Sequence, residues 1–201
     1  VTTESLTATG RPRDNRIDEA VLEAARALLA EVGYADLTLT AVAARAQTSV
    51  PALRRRWPSK AHLVHQAVFP DDLAVPPRDP DAGLADEVET VVGNCVALFS
   101  DRAMSRAITG LLSDLVADDE LQRELTARLR DVVWSDLEER FTRAALRDGV
   151  AIVVDPSIIV ETAFGAALMT VVLRGSDALD DQWRATMSAT LLAGLRAVGS
   201  T

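Results

Sequence analysis

The chain has 201 residues, 48% of them apolar and 25% charged, with 10 glycines, 8 prolines and one cysteine, a composition that suits a globular chain long enough to bury a core without covalent staples. The lone Cys95 excludes a disulfide scaffold, no uncharged apolar run approaches the roughly 20 residues of a bilayer span, and the N-terminus lacks a secretory apolar segment, so a cytoplasmic location is expected. The formal net charge of −9 is unevenly spread: residues 1–69 carry nine basic and seven acidic side chains, residues 70–201 twelve and twenty-three.

Aromatic residues are scarce at 4%, while Ala, Leu, Arg and Glu recur throughout, which favours helix over sheet. Residues 1–13 are polar and end in the basic GRPR (10–13), predicting a flexible arm. Apolar spacing predicts a helix over 15–31, closed by Gly33. Thr38 is placed as the N-cap of a short helix over 39–46; Gln47 and Thr48 break it; Ser49 caps a second short helix to about 57 with Pro51 in its first turn. After Pro58, Ser59 caps a fourth helix over 60–69. Pro and Asp crowd residues 70–82, predicting a linker. Further helices are expected over 83–100, 102–116, 119–147, 156–173 and 179–198, for an all-α chain of about nine helices. Domain boundaries follow: arm 1–13, helix-turn-helix domain 14–69, linker 70–82, and a second domain over 83–201.

Two short helices joined by a three-residue turn and preceded by a longer one predict a helix-turn-helix, whose second helix enters a major groove of double-stranded DNA. No acidic residue stands between Asp36 and Asp71, whereas Arg45, Arg54, Arg55, Arg56 and Lys60 lie there; a basic segment on an acidic chain is the footprint of a polyanion site, and a solvated helix face is the bland alternative. The residues themselves carry more. GRPR (10–13), LLAEVGYADLTLTAVAARA (28–46), TS (48–49), RRRWPSK (54–60) and the following HLVHQAV together resemble the DNA-binding region of the tetracycline-repressor (TetR) family of bacterial transcriptional regulators.

The resemblance implies a one-component repressor, with an N-terminal three-helix DNA-binding module and a helical C-terminal domain that dimerises and binds an inducer. On the matched positions it implies that Thr38 caps the helix abutting the DNA backbone, that residues 49–55 form the recognition helix, that Lys60 meets phosphate, and that Trp57 packs the module together. Three positions depart from the family pattern: Gln47 stands where glycine is usual, Arg54 where a phosphate-bonding tyrosine is common, and Ala52 where a hydroxyl is usual. Val50 and Pro51 offer apolar contacts, base readout is expected from Thr48, Ser49, Arg54 and Arg55, and Arg11 and Arg13 are expected in the adjacent minor groove or simply mobile.

For the second domain, the very apolar helix 156–173 is expected to be buried with 179–198 in a two-fold four-helix bundle, giving a homodimer. A small apolar effector is expected inside the domain, against Cys95, Phe99, Met104, Ile108, Leu112, Trp134, Phe141 and Phe164, with Asn94 and Thr109 as polar anchors; ordinary core is the competing reading of each. His62 and His65 share a helix face, but without a clear third ligand a metal is not expected. Cys95 lies on an apolar stripe without a His partner, and no acid, base and nucleophile set can be assembled, so neither an enzyme nor a cofactor is expected. The alternative function is a helical ligand-binding protein with a non-functional DNA-binding domain, kept open by Gln47 and Ala52.

Overall fold

The computed structural model describes residues 15–69, 79, 81–129, 135–150 and 155–198. Among these residues there are ten α-helices and no strand. The helices are α1 (Asn15–Asp36), α2 (Leu39–Arg45), α3 (Val50–Arg54), α4 (Lys60–Val68), α5 (Leu84–Ser100), α6 (Arg102–Ala117), α7 (Asp119–Leu129), α8 (Ser135–Asp148), α9 (Pro156–Arg174) and α10 (Asp181–Val198). The all-α expectation holds, with two differences in detail. The segment 119–147 gives two helices, with 130–134 outside the described residues. The helix begun at Ser49 stops at Arg54 rather than near 57, where Arg56 and Trp57 both turn their amides back onto the Leu53 carbonyl at 2.9 and 2.8 Å. Most of the expected linker, 70–78 and 80, also lies outside the described residues.

The N-terminal helices are ended by local chemistry visible in their residues. Thr38 and Ser49 accept the third-residue amides of α2 and α3, from Ala41 at 3.1 Å and Ala52 at 3.3 Å, which satisfies donors that have no partner within the helix. α2 closes in a Schellman arrangement: the Thr48 amide reaches the Ala43 carbonyl at 2.9 Å and the Gln47 amide the Ala44 carbonyl at 3.3 Å. That geometry places Gln47 at φ 51, the left-handed region. A β-carbon there costs on the order of 1–2 kcal/mol, part of which glycine returns as unfolded-chain entropy. Gln47→Gly is therefore expected to raise stability by about 0.5–1 kcal/mol in urea unfolding, with the helix-turn-helix unchanged.

The core of residues 15–69 gathers Val21, Ala25 and Leu29 of α1, Val42 of α2, Leu53 of α3, Trp57, and Leu63 and Val64 of α4, all buried. α1 and α4 both pack against α6, so this module sits directly on the second half of the chain. There α5 is central, contacting α6, α8, α9 and α10, and it buries Leu84, Val88, Val92, Cys95 and Phe99. Its N-terminus is closed by Asp86, which accepts the Gly83 amide at 2.9 Å, and by Asp148 at the end of α8, which accepts the Leu84 amide at 3.0 Å. α9 differs from the other helices. The segment Ser157–Arg174 is long and apolar enough to cross a membrane by length and composition alone, and it leaves Ile158, Met169, Val172 and Leu173 exposed.

Candidate nucleic-acid interface

The turn and α3 present one end of the first module to solvent. Ser49, Pro51, Arg54 and Arg55 are exposed, while Thr48, Val50 and Ala52 are partly covered. Leu53, at 1% exposure, faces the core and fixes the rotation of α3, so that Arg54 and Arg55 project outward. Trp57 does not face out: it is buried, and its indole N–H donates to Gln66 Oε1 at 2.7 Å, tying the end of α3 to α4. Arg56 is likewise used internally, in an ion pair with Asp18 of α1 at 2.6 Å.

Two residues of the expected basic segment, Arg45 and Lys60, have partners within the protein. Arg45 makes a forked pair with Glu31, at 2.9 and 2.8 Å; the guanidinium holds that carboxyl below its ordinary value. The pair is solvent-exposed and contributes little to stability, so its main effect is to orient Arg45. Lys60 opens α4, and its ammonium donates to the Tyr34 carbonyl at 3.0 Å while lying 4.2 Å above the Tyr34 ring. Arg11 and Arg13, expected in the minor groove, lie outside the described residues.

Further back, His62 Nδ1 is 2.8 Å from Ser59 Oγ and His62 Nε2 is 3.1 Å from Glu124 of α7. His65 is buried and packs on Phe69, ring centroids 5.1 Å apart. The two histidines thus serve different surfaces, and among the described residues no three His, Cys, Asp or Glu side chains come together as a metal-binding group.

Of the residues expected around an effector, Cys95, Phe99, Met104, Ile108 and Phe141 are buried together in the core of the second half, with Leu112 and Phe164 packed against it. Burial pushes the Cys95 thiol up to about 12, leaving a hydrophobe rather than a nucleophile. Phe164 lies between Phe99, at a ring separation of 4.9 Å, and Phe69 at 6.4 Å, so the aromatic contacts run from α5 through α9 to the end of α4. Asn94 and Thr109 are corrected: both are exposed. Each neighbours a buried residue in sequence, and one helical step of about 100° turns it away from the core. Trp134 lies outside the described residues.

Three residues at the seam between the halves went unnoticed in the sequence: Tyr34, Gly110 and Asp114. The Tyr34 hydroxyl donates to Asp114 of α6. Burial, then this bond, pushes the phenol above its ordinary value. Gly33-Tyr34 gave only a helix-stop signal, and no periodicity announces a partner 80 positions away.

A buried three-helix module with an exposed, Ser-capped second helix and a rear face seated on a helical bundle defines a helix-turn-helix protein. The family of bacterial regulatory proteins, tetR family, matches residues 21–67. An uncharacterized HTH-type transcriptional regulator of Mycobacterium bovis is 51% identical over 53 residues, and one of Mycobacterium tuberculosis matches equally; the match covers 25% of this chain and 26% of each relative. It therefore spans only about a quarter of the length of these relatives. Across nearly the whole chain, the fold is that of Salmonella enterica GusR, with TM-score 0.66, 18% identity, and 93% of this chain and 99% of the other covered. The fatty acid degradation regulator FadR of Bacillus halodurans is similar at TM-score 0.62 and 15% identity, over 94% and 98% of the two chains. Residues 21–67 thus match the tetR-family DNA-binding region, the fold of the described residues is the one seen in GusR and FadR, and the relatives matched in sequence are HTH-type transcriptional regulators.

Proposed function

We propose that this chain is a cytoplasmic, homodimeric transcriptional regulator that binds a palindromic DNA operator and represses until an apolar small molecule releases it. The observation that carries the reading is the exposed end of the helix-turn-helix. Ser49, Arg54 and Arg55 point outward from a segment without acids between Asp36 and Asp71, on a chain that is otherwise strongly acidic. Only that end can approach a polyanion without repulsion. Residues 14–69 are read as the DNA-binding domain, 1–13 as its basic arm, 70–82 as a linker and 83–201 as the dimerisation and effector domain. Thr38, Arg45, Thr48, Val50, Ala52 and the phosphate-meeting Lys60, with Arg11 and Arg13 of the arm, complete the DNA-facing set, and Trp57 holds α3 in place.

The effector would bind among Cys95, Phe99, Met104, Ile108, Leu112, Phe141 and Phe164, a group supported by their shared core and by the aromatic contacts leading to α4. It releases DNA only by favouring an arrangement other than the DNA-bound one, and a tenfold loss of operator affinity requires about 1.4 kcal/mol of that preference.

Selection from random duplexes with the full chain tests the DNA-binding reading. A palindromic sequence should be enriched, with affinity falling steeply as salt rises. Arg54→Ala should weaken binding across sequences, whereas Ser49 or Arg55 substitutions should change base preference. Enrichment of no sequence would leave a helical ligand-binding protein in place of a regulator.

A further inference from the structure

We propose that Tyr34 is a positioning residue for DNA binding, through which α6 sets the reach of the Lys60 ammonium. The inference rests on the DNA-binding reading above and deepens it. Gly33 leaves the helical path at φ 82 and ψ 179, which turns Tyr34 out of α1 toward α6. Its ring lies directly against Gly110: a β-carbon there would overlap the side chain, with Tyr34 Cγ 2.7 Å away. One turn further along α6, Asp114 accepts the Tyr34 hydroxyl. Gly110 and Asp114 thus fix the ring in position and in tilt, and Tyr34 is only 8% exposed.

Lys60 then depends on that ring. It is the first residue of α4, where the positive end of the helix dipole disfavours a cation. Two features of Tyr34 offset this: the carbonyl that accepts from the ammonium at 3.0 Å, and the ring face 4.2 Å from it. One of the three ammonium donors is held by the carbonyl, and two remain for phosphate. A displacement of α6 therefore reaches the Lys60 ammonium through the Tyr34 side chain seated on it, without passing along a helix.

The test is a double-mutant cycle on the duplex selected by the full-length wild-type protein, read as affinity and as the slope of log affinity against log salt. Lys60→Ala should lower affinity about tenfold and reduce the magnitude of the slope by about one. Gly110→Ala and Tyr34→Leu should each reproduce most of that loss with the same change of slope, and Lys60→Ala combined with Tyr34→Leu should be no worse than Lys60→Ala alone. Tyr34→Phe, which keeps the ring but not the Asp114 bond, should keep the wild-type slope. If Gly110→Ala does not fold, Tyr34→Leu, which adds no atom at the seam, carries the cycle. Multiplicative losses with an unchanged slope in the Tyr34 and Gly110 variants would overturn the inference while leaving the DNA-binding reading intact. A wild-type protein that enriches no duplex would remove both.

Discussion

Arg140→Ala is expected to destabilise the protein by about 3–5 kcal/mol, the cost typical of removing one partner from a buried ion pair. Arg140 and Glu87 are 7% and 3% exposed, and they join α8 to α5 through contacts of 2.9 Å from Nε and 2.6 Å from the guanidinium terminus to the same carboxylate oxygen. Asp136, one turn earlier on α8, lies 3.8 Å from the same guanidinium. Deleting the guanidinium strands the Glu87 carboxylate in an apolar core, and it brings the partly buried Asp136 charge into play without its counterion. Replacing both members together tells the two contributions apart. Glu87→Leu with Arg140→Met fills similar volume without charge and should recover most of the loss, because the pair's mutual attraction is largely offset by the water each ion gives up. Urea unfolding followed by far-ultraviolet circular dichroism measures both variants. A loss below about 1 kcal/mol for Arg140→Ala would mean that the pair is hydrated like a surface bridge.

That pair also marks where sequence reasoning reaches its limit. Glu87 and Arg140 are 53 positions apart on helices whose charges look like any solvated face, and nothing in the local pattern separates a buried arginine from an exposed one. Residues 15–69 are far more legible, because their structure is set by short-range chemistry. Thr38, Ser49 and Ser59 are caps followed by apolar runs at helical spacing, and Gly33 and Gln47 stand where the chain must turn. Each of these signals lies within four residues of its effect. The expected effector set was legible only in part for the same reason. Helical phase correctly grouped Cys95, Phe99, Met104 and Ile108 on inward faces, but Asn94 and Thr109 were chosen for their chemistry against that phase. Lys60 is expected at phosphate only through the resemblance, and its contact with Tyr34 is a tertiary fact. It needs α1, α4 and α6 brought together, and only the folded chain does this.

Met169→Glu is expected to convert a dimer into monomers and to abolish operator binding with it. On α9 the exposed Ile158, Thr162, Met169, Val172 and Leu173 recur at helical spacing and form one stripe, bordered by the exposed Glu161, while the opposite side of the helix packs on α5 and α8. Within the stripe, Gly165 has no heavy atom within 4 Å of where its β-carbon would lie, and the same is true of Gly194 on α10. Beside Gly194, the exposed face of α10 is built from Ala185, Thr186, Ala189, Thr190 and Ala193. An apolar stripe next to a face of small residues is a surface that another helix pair can approach closely, and a second copy related by a two-fold axis would bring such a pair. Trp183, which donates to the buried Thr170 at 3.0 Å, and Arg184, paired with Glu89 of α5, tie α10 to α9 and α5. A carboxylate at 169 would enter the interface twice, once from each copy, and each would lose its water without gaining a cation. The dimer dissociation constant should rise about 100-fold or more. Since a dimer places its two recognition helices roughly 34–36 Å apart on successive major grooves, losing it removes half the contacts from each binding event. Sedimentation at micromolar concentration and a gel shift on the selected duplex should therefore fail together in the variant. A variant that remains dimeric, or a wild-type chain that sediments as a monomer, would place the two-fold axis elsewhere or remove it.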